Sequence, residues 1–329
     1  LASTPWQTAA QFQKAKIRPM FSFGRRLRQH FSSMSAISVA VGLAIVATLL
    51  AATTNGTIRS MTDEMHPFQI AFFRCVLALI MFGPLFWRSD FKLLKTSQVK
   101  LQLVAGALQA ASMLLFFLAL GLIPLAKVSA LNFSSPLFAT LLAIVFLGEV
   151  IRARRIAALI VGFTGMVLIV RPGWQPLDLG SIAVIASAAC AGGNLIATKV
   201  LSRTNASMTT VFYSTLISAP VALVLAIPEW IMPSAHHIVP LLVIAAASSL
   251  NNVARAQAIK LADITIIAPL EFLKLPWVAV IGYVFFAERV DGWTWIGGFV
   301  IFAGATYIAH RERQVRPAAT PAASHPPLP

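Results

Sequence analysis

The chain has 329 residues, of which 58% are hydrophobic and only 11% charged, against roughly 25% charged in an ordinary soluble protein. A soluble two-domain enzyme is all but excluded. The 26 lysines and arginines outnumber the 11 aspartates and glutamates for a formal net charge of +15, a balance that in a soluble chain would suggest nucleic acid. Cys75 and Cys190 lie in apolar runs and give neither a disulfide framework nor a metal cluster.

Residues 1–35 are polar and basic. A cleaved signal would place its apolar core nearer the start, so this stretch reads as a retained basic cytoplasmic tail. A hydrocarbon core about 30 Å thick is crossed by roughly 20 apolar residues in a helix. Ten stretches meet that length or nearly do: 36–58, 68–87, 101–122, 128–147, 155–170, 179–198, 208–228, 238–258, 264–287 and 293–310. Short connections carry turn chemistry, as at Arg171-Pro172-Gly173 and Asp291-Gly292. The Pro- and Ala-rich stretch 312–329 reads as a disordered cytoplasmic tail. With the first tail inside, 19 of the 26 basic residues fall in cytoplasmic segments, four outside and three within spans. By the excess of Lys and Arg on the cytoplasmic side both termini are therefore cytoplasmic. The positive balance is an orientation signal, and nucleic-acid binding loses its support.

Set against itself at an offset of 139, the chain aligns without a gap from about 40–170 to 179–309. The register pairs Asn55 with Asn194, Phe73 with Phe212, Phe133 with Phe272, Glu149 with Glu288 and Gly165 with Gly304. Each half, 36–171 and 178–311, then holds five spans. Five is odd, so the second half must enter the membrane from the opposite side. The expected fold is an all-α integral membrane protein of ten transmembrane helices, arranged as two inverted-topology five-helix repeats. Such halves can exchange inward-open and outward-open states around a midplane site. In the sixth span Ser187, Ala188, Ala189, Ala191, Gly192 and Gly193 give small residues at four-residue spacings, read as ordinary close helix packing.

The stretches HPFQIAFFR (66–74), SPLFATLLAIVFLGE (135–149), GFTGMVLIVRPG (162–173) and APLEFLKLPWVAVIGYVFFAE (268–288) resemble the EamA-type members of the drug/metabolite transporter superfamily. Within it they look most like the branch containing bacterial S-adenosylmethionine and riboflavin carriers. The resemblance covers essentially the whole membrane region. It implies a multi-pass protein of the bacterial inner membrane that works by alternating access without a bound cofactor, and it leaves substrate and direction open.

A charge at the centre of a span costs on the order of 2.5–3.5 kcal/mol on insertion scales, so each one asks for a partner or a purpose. Arg74, Arg255, Glu271 and Lys274 stand inside spans. Glu271 and Lys274 are three apart on one helical face, bracketed by Pro269 and Pro276, where a kinked or unwound segment is expected. Under the offset their mates are Asn132 and Ser135, beside Pro136. Arg255, one turn beyond Asn251 and Asn252, has two readings: it holds an anionic group by paired hydrogen bonds, or it is the counter-ion of Glu271 and leaves Lys274 free. Arg74, matched by Tyr213, either lines the site or snorkels to the interface. The candidate substrate-binding set is Arg74, Asn132, Tyr213, Asn252, Arg255, Glu271 and Lys274, with Gln109 and Trp277 as weaker candidates. Asn55 and Asn194 read as interhelical hydrogen-bond formers, and Glu149 and Glu288, beside Arg152 and Arg289, as salt bridges at the span ends.

A secondary carrier for a small polar metabolite is the favoured reading. There is no G-x-x-x-x-G-K-[ST] sequence, so energy must come from an ion or solute gradient. Glu271 is the candidate proton-sensitive group, because burial favours the neutral acid and a nearby cation the carboxylate. Mixed charge suits a zwitterion such as an amino acid or S-adenosylmethionine, while riboflavin would want stacking and neutral hydrogen bonds. An intramembrane enzyme would need H-E-x-x-H, G-x-S-x-G or a comparable set, and neither motif occurs. No catalytic residue, cofactor or metal site is expected, since all six histidines lie in loops, tails or span ends. The partners are a small-molecule substrate and the lipid bilayer; a homodimer is left open.

Overall fold

The computed structural model describes residues 36–88, 96, 98–147, 153–171, 178–201, 205, 207–261, 267 and 270–315. The stretch 1–35, Glu149, Arg152, Pro269 and the last 14 residues, 316–329, lie outside them. The helices are α1 (Ala36–Met61), α2 (Pro67–Arg88), α3 (Val99–Leu122), α4 (Leu125–Asn132), α5 (Ser135–Leu147) and α6 (Ala153–Val170) in the first half. The second half holds α7 (Leu179–Leu201), α8 (Ser207–Ala226), α9 (Ala235–Leu261), α10 (Lys274–Phe286) and α11 (Gly292–Val315), with 3-10 turns at Ile227–Glu229 and Glu271–Leu273. α11 runs past residue 311 to Val315, four residues into the stretch expected to be a disordered tail.

Among the described residues there is no strand. Lipid offers no partner to a backbone N–H or C=O, so a spanning segment must satisfy them internally, as a helix does. Six helices are long and apolar enough to cross a membrane, with Pro67–Met81, Leu159–Val170 and Gly292–Gly304 as shorter apolar helices. The hydroxyls inside the spans are spent locally: Thr48 Oγ1 donates to Ile45 O, Thr54 Oγ1 to Leu50 O and Thr57 Oγ1 to Thr53 O, at 2.8–2.9 Å. Large apolar side chains face outward, among them Phe285 at 75% and Val145 at 66% exposed, a surface no monomeric soluble protein presents.

The fourth span is not the continuous helix expected over 128–147. It starts at Leu125 and is interrupted at Phe133–Ser134 between α4 and α5. Pro136 explains the break, since it has no N–H to give the Asn132 carbonyl four residues back. The Ser135 hydroxyl donates to that carbonyl instead, at 2.9 Å. The repeat mate of Phe133 is Phe272, at the centre of the 3-10 turn that precedes α10. Both halves thus break a helix at one repeat position.

α3 packs along α7, α1 along α9, α6 along α11 and α2 along α8. Exchanging the halves turns the first pair into the second and maps each of the other two onto itself. α3 and α7 run antiparallel: a Cβ on Gly180 would meet Ile123, Ser187 Oγ donates to Ser112 O at 2.7 Å, and Asn194 Nδ2 donates to Gln109 Oε1 at 2.7 Å. The last of these is the interhelical use expected of Asn194. The small residues of α7 serve packing, since a Cβ on Gly192 would stand 2.6 Å from the backbone nitrogen of Ala139 on α5. α6 and α11 are also antiparallel, with Gly165 against Gly297 and an Arg171–Asp291 ion pair where α6 ends and α11 begins.

Candidate functional site

The two broken helices meet in the bundle. Phe133 and Phe272 stack with ring centroids 5.9 Å apart and planes at 29°. Phe133 and Phe272 are mates under the 139-residue offset, so this stack joins the two halves. Phe302 of α11 packs on both rings, at 5.9 and 4.9 Å.

Glu271 and Lys274 flank this point, and the structure decides between the readings of Arg255. Arg255 Nε lies 2.9 Å from Glu271 Oε1. Arg255 is therefore the counter-ion of Glu271. Lys274 does not pair with Glu271 as their spacing allowed; its Nζ sits 5.6 Å from the centroid of the Phe116 ring on α3. Arg74 is half-buried on α2. Its guanidinium carbon lies 5.7 Å from the centroid of Phe117, the next residue of α3. Neither Arg74 nor Lys274 forms an ion pair among the described residues, although Glu271 is near enough to Lys274 to attract its charge. Two cations on neighbouring aromatic rings, attracted by their faces, were not legible in the sequence, where Phe116 and Phe117 are simply part of an apolar run.

The other expected site residues are less closely engaged. Asn132 ends α4, half-buried, with its carbonyl capped by Ser135. Tyr213 is half-buried on α8, edge-on to Phe212. Asn252 is exposed on α9, just short of Arg255. Gln109 accepts from Asn194, and the Trp277 indole N–H on α10 is buried without a partner. A groove on α5 and α6 lined by Leu141, Ile156, Leu159, Ile160 and Phe163 does not compete as a polar site, since its one hydroxyl, Thr164, donates to Ile160 O.

One end of the bundle is closed by clasps between residues far apart in sequence. Glu288 accepts from the backbone N–H of Leu125 at 2.9 Å, at the start of α4, and pairs at 3.6 Å with Arg59 of α1, not with its neighbour Arg289. Burial pushes the Glu288 carboxyl above its ordinary value, against the opposing pull of Leu125 and Arg59. Lys127 Nζ lies 2.7 Å from Asp178, which also accepts from Ser181 N at the start of α7. Burial alone would raise Asp178; the hydrogen bonds from Lys127 and Ser181 outweigh it and hold the carboxyl below its usual range. Across the α1–α2 and α8–α9 loops, Glu64 Oε2 lies 2.7 Å from His236 Nε2 and 3.0 Å from His237 Nε2, and Gln69 Nε2 donates to Ile231 O at 2.5 Å.

Glu64, His236 and His237 bring ligand-type atoms within 4.8 Å of one another, a constellation not read from the sequence. Their hydrogen bonds argue for a clasp. Ser234 N–H donates to His237 Nδ1 at 3.1 Å, which leaves Nε2 as the protonated nitrogen, and an ion at Nε2 would require the opposite tautomer. The bonds from His236 and His237 hold the Glu64 carboxyl below its ordinary value. A lowered carboxylate value contributes stability above the ordinary value that is lost as pH falls through the lowered one. Thermal unfolding is therefore expected to show Glu64→Gln less stable than the parent at neutral pH, with the difference closing in acid below the usual carboxylate range. A difference that persists there contradicts the clasp.

With this geometry in view, comparison with known proteins is decisive for the family. The model of the EamA-like transporter family matches twice, at residues 38–171 and 178–309. The chain belongs to the EamA-like transporter family. As an EamA-like protein the chain is a multi-pass integral membrane transporter of small metabolites. It is 29% identical over 253 residues to an S-adenosylmethionine uptake transporter of Rickettsia felis, covering 76% of this chain and 85% of that one. It is 28% identical over 249 residues to a riboflavin transporter of Brucella anthropi, covering 74% and 88%. It is 26% identical over 273 residues to a pseudopaline exporter of Pseudomonas aeruginosa, covering 82% and 96%. A crystal structure 18% identical in sequence shares the fold with a TM-score of 0.56, over 85% of this chain and 99% of that one. EamA-like relatives this similar move chemically different molecules, in and out.

Proposed function

We propose that this EamA-like chain is a secondary carrier that moves a small zwitterionic metabolite by alternating access of two inverted five-span repeats, with both termini cytoplasmic. The observation that carries the reading is the contact of repeat mates Phe133 and Phe272 where both halves break a helix, flanked by the Arg255–Glu271 pair and Lys274. Unwound segments at the interface of repeats are where carriers of this construction hold their cargo. The antiparallel course of α3 and α7 supports inversion, because α7, the first helix of its half, then runs opposite to α1. Uptake into proteoliposomes that saturates and is stimulated by unlabelled substrate inside tests the reading; uptake linear in concentration and indifferent to internal substrate opposes it. Riboflavin carriage is the second reading, favoured by the Phe133, Phe272 and Phe302 rings as a stacking surface.

The halves differ in a way that fits exchange. Asn194 bonds Gln109, whereas their repeat mates Asn55 and Ser248 do not bond each other. Asn55 Nδ2 is buried without a partner, and Ser248 donates to Ala245 O of its own helix at 3.2 Å. In the exchanged state Asn55 bonds Ser248 and the Gln109–Asn194 bond opens, so each amide N–H donor is satisfied in one state. Gln109→Leu is expected to favour the exchanged state and Asn55→Leu the present one. In an Asn252→Cys background, labelling by a membrane-impermeant thiol reagent should move in opposite directions for the two. Equal labelling of both variants and the parent contradicts the exchange.

A further inference from the structure

Resting on the carrier reading, we infer that the clasped end of the bundle is a gate, shut in this structure and facing outward, and that Glu288 is its latch. The gate is drawn by the ion pairs Arg59–Glu288, His66–Glu229, Lys127–Asp178, Arg171–Asp291, and Glu64 with His236 and His237. Each joins a residue of the first half to one of the second. Each also lies at, or within a turn of, a junction α1–α2, α3–α4, α6–α7, α8–α9 or α10–α11, and spans that alternate in direction bring those junctions to one face. With both termini cytoplasmic, that face is the outer one. The halves cannot part there until these contacts break.

Glu288 is the member placed to couple this face to the site. α10 ends at Ala287, whose φ of 53° is left-handed, and the Glu288 N–H turns back to donate to Gly282 O at 3.0 Å. The reversal lays the carboxylate over the last turn of α10, against Gly282, where a Cβ would stand 3.1 Å from Oε2. From there Oε2 accepts the Leu125 N–H at the start of α4. Arg59 holds the other side of the same corner, its Nη1 donating to the Leu120 and Gly121 carbonyls at the end of α3. One ion pair thus sets a cation at a helix C-terminus and an anion at the next N-terminus, as the helix dipoles favour, and only the anion comes from the second half. α4 runs from that anion to the break at Phe133, α10 runs from the 3-10 turn to Glu288, and the two pack together. A shift at either break therefore reaches the latch through one short helix, which makes Glu288 a positioning residue. Ser129 lies one turn along α4 from Leu125, wholly buried, and its hydroxyl has no partner among the described residues. An unpaired buried hydroxyl costs free energy, and water entering an open gate would relieve it.

The test is the reaction of Ser129→Cys, in a Cys75→Ala/Cys190→Ala background, with a membrane-impermeant thiol reagent added to intact cells expressing the full chain. The thiol should react slowly while Glu288 is in place. Glu288→Ala should speed its labelling about tenfold, the effect of losing one hydrogen bond to a charged group. Glu288→Gln, which keeps an acceptor for the Leu125 N–H, should speed it clearly less. Ala40→Cys, a reporter wholly buried at the opposite end of α1, should stay unlabelled throughout, because halves that part at one face close at the other. Labelling of Ser129→Cys that Glu288→Ala leaves unchanged overturns the latch. So does a matching rise at Ala40→Cys, which would make Glu288 a residue that only holds the fold. A rise confined to inside-out vesicles overturns the outward assignment. Counterflow by the parent separates the two claims: exchange of a metabolite with Ser129→Cys shielded in every variant keeps the carrier reading and removes the latch.

Discussion

Gly297→Ala is expected to lower the stability of the protein by about 1–3 kcal/mol, the usual cost of overpacking a filled interface, and Gly297→Val by more. A Cβ at position 297 would stand 2.5 Å from the Gly165 carbonyl oxygen and 2.5 Å from Ile169 Cγ1; one at 165 would stand 2.7 Å from the Gly297 carbonyl oxygen and 2.9 Å from Ile301 N. Backbone atoms cannot rotate aside as a side-chain tip can, so the axes of α6 and α11 must separate. Small residues at such crossings let helices approach where lipid gives no hydrophobic drive toward each other, and separation forfeits the dispersion contacts along the whole seam. The two glycines face each other, so their costs should not add: Gly165→Ala/Gly297→Ala is expected to cost clearly less than the sum of the single changes, because the first already parts the helices. Thermal unfolding in detergent of the three variants reads this directly. Full additivity, or alanine variants as stable as the parent, contradicts the close crossing.

The largest effect on activity is expected at the other pair. Arg255→Gln and Glu271→Gln should each reduce transport more than tenfold, yet change stability little. The side chains are 56% and 34% exposed, and ion pairs that accessible contribute about 0.2–1 kcal/mol. The pair therefore adds little to folding, and its place is at the 3-10 turn before α10. Removing Glu271 leaves Arg255 and Lys274 as two cations without the carboxylate between them. The double variant Arg255→Gln/Glu271→Gln should lose no more than either single change if the two act as a unit. Normal transport in Glu271→Gln removes the pair from the mechanism.

These expectations show what the sequence carried and where it stopped. Apolar runs of membrane length located the helices, because in lipid the requirement is local: a segment satisfies its own backbone or does not cross. The repeat and the polar positions at 132 and 271 were legible for the same reason, as rare residue types at one depth. Partner choice was not. Spacing offered Lys274 to Glu271 and left Arg255 with two readings, and the fold brought Arg255 onto Glu271. Pro136 signalled the break at Phe133–Ser134, although the apolar run continues through it. The Glu64–His236–His237, Arg59–Glu288 and Lys127–Asp178 clasps join loops separated by 51 to 229 positions, and no local pattern marks such pairs. Their basic members entered the charge count only as loop residues, though they tie the helices together at one end.

The central claim is that two halves exchange around one site, and the direct measurement is counterflow. Proteoliposomes holding the purified full chain would be loaded with unlabelled S-adenosylmethionine or riboflavin and diluted into the same compound, radiolabelled. The account predicts transient accumulation of label above equilibrium for at least one of the two, saturable and abolished in Arg255→Gln. Equilibration without overshoot for both, unaffected by internal substrate, would contradict it.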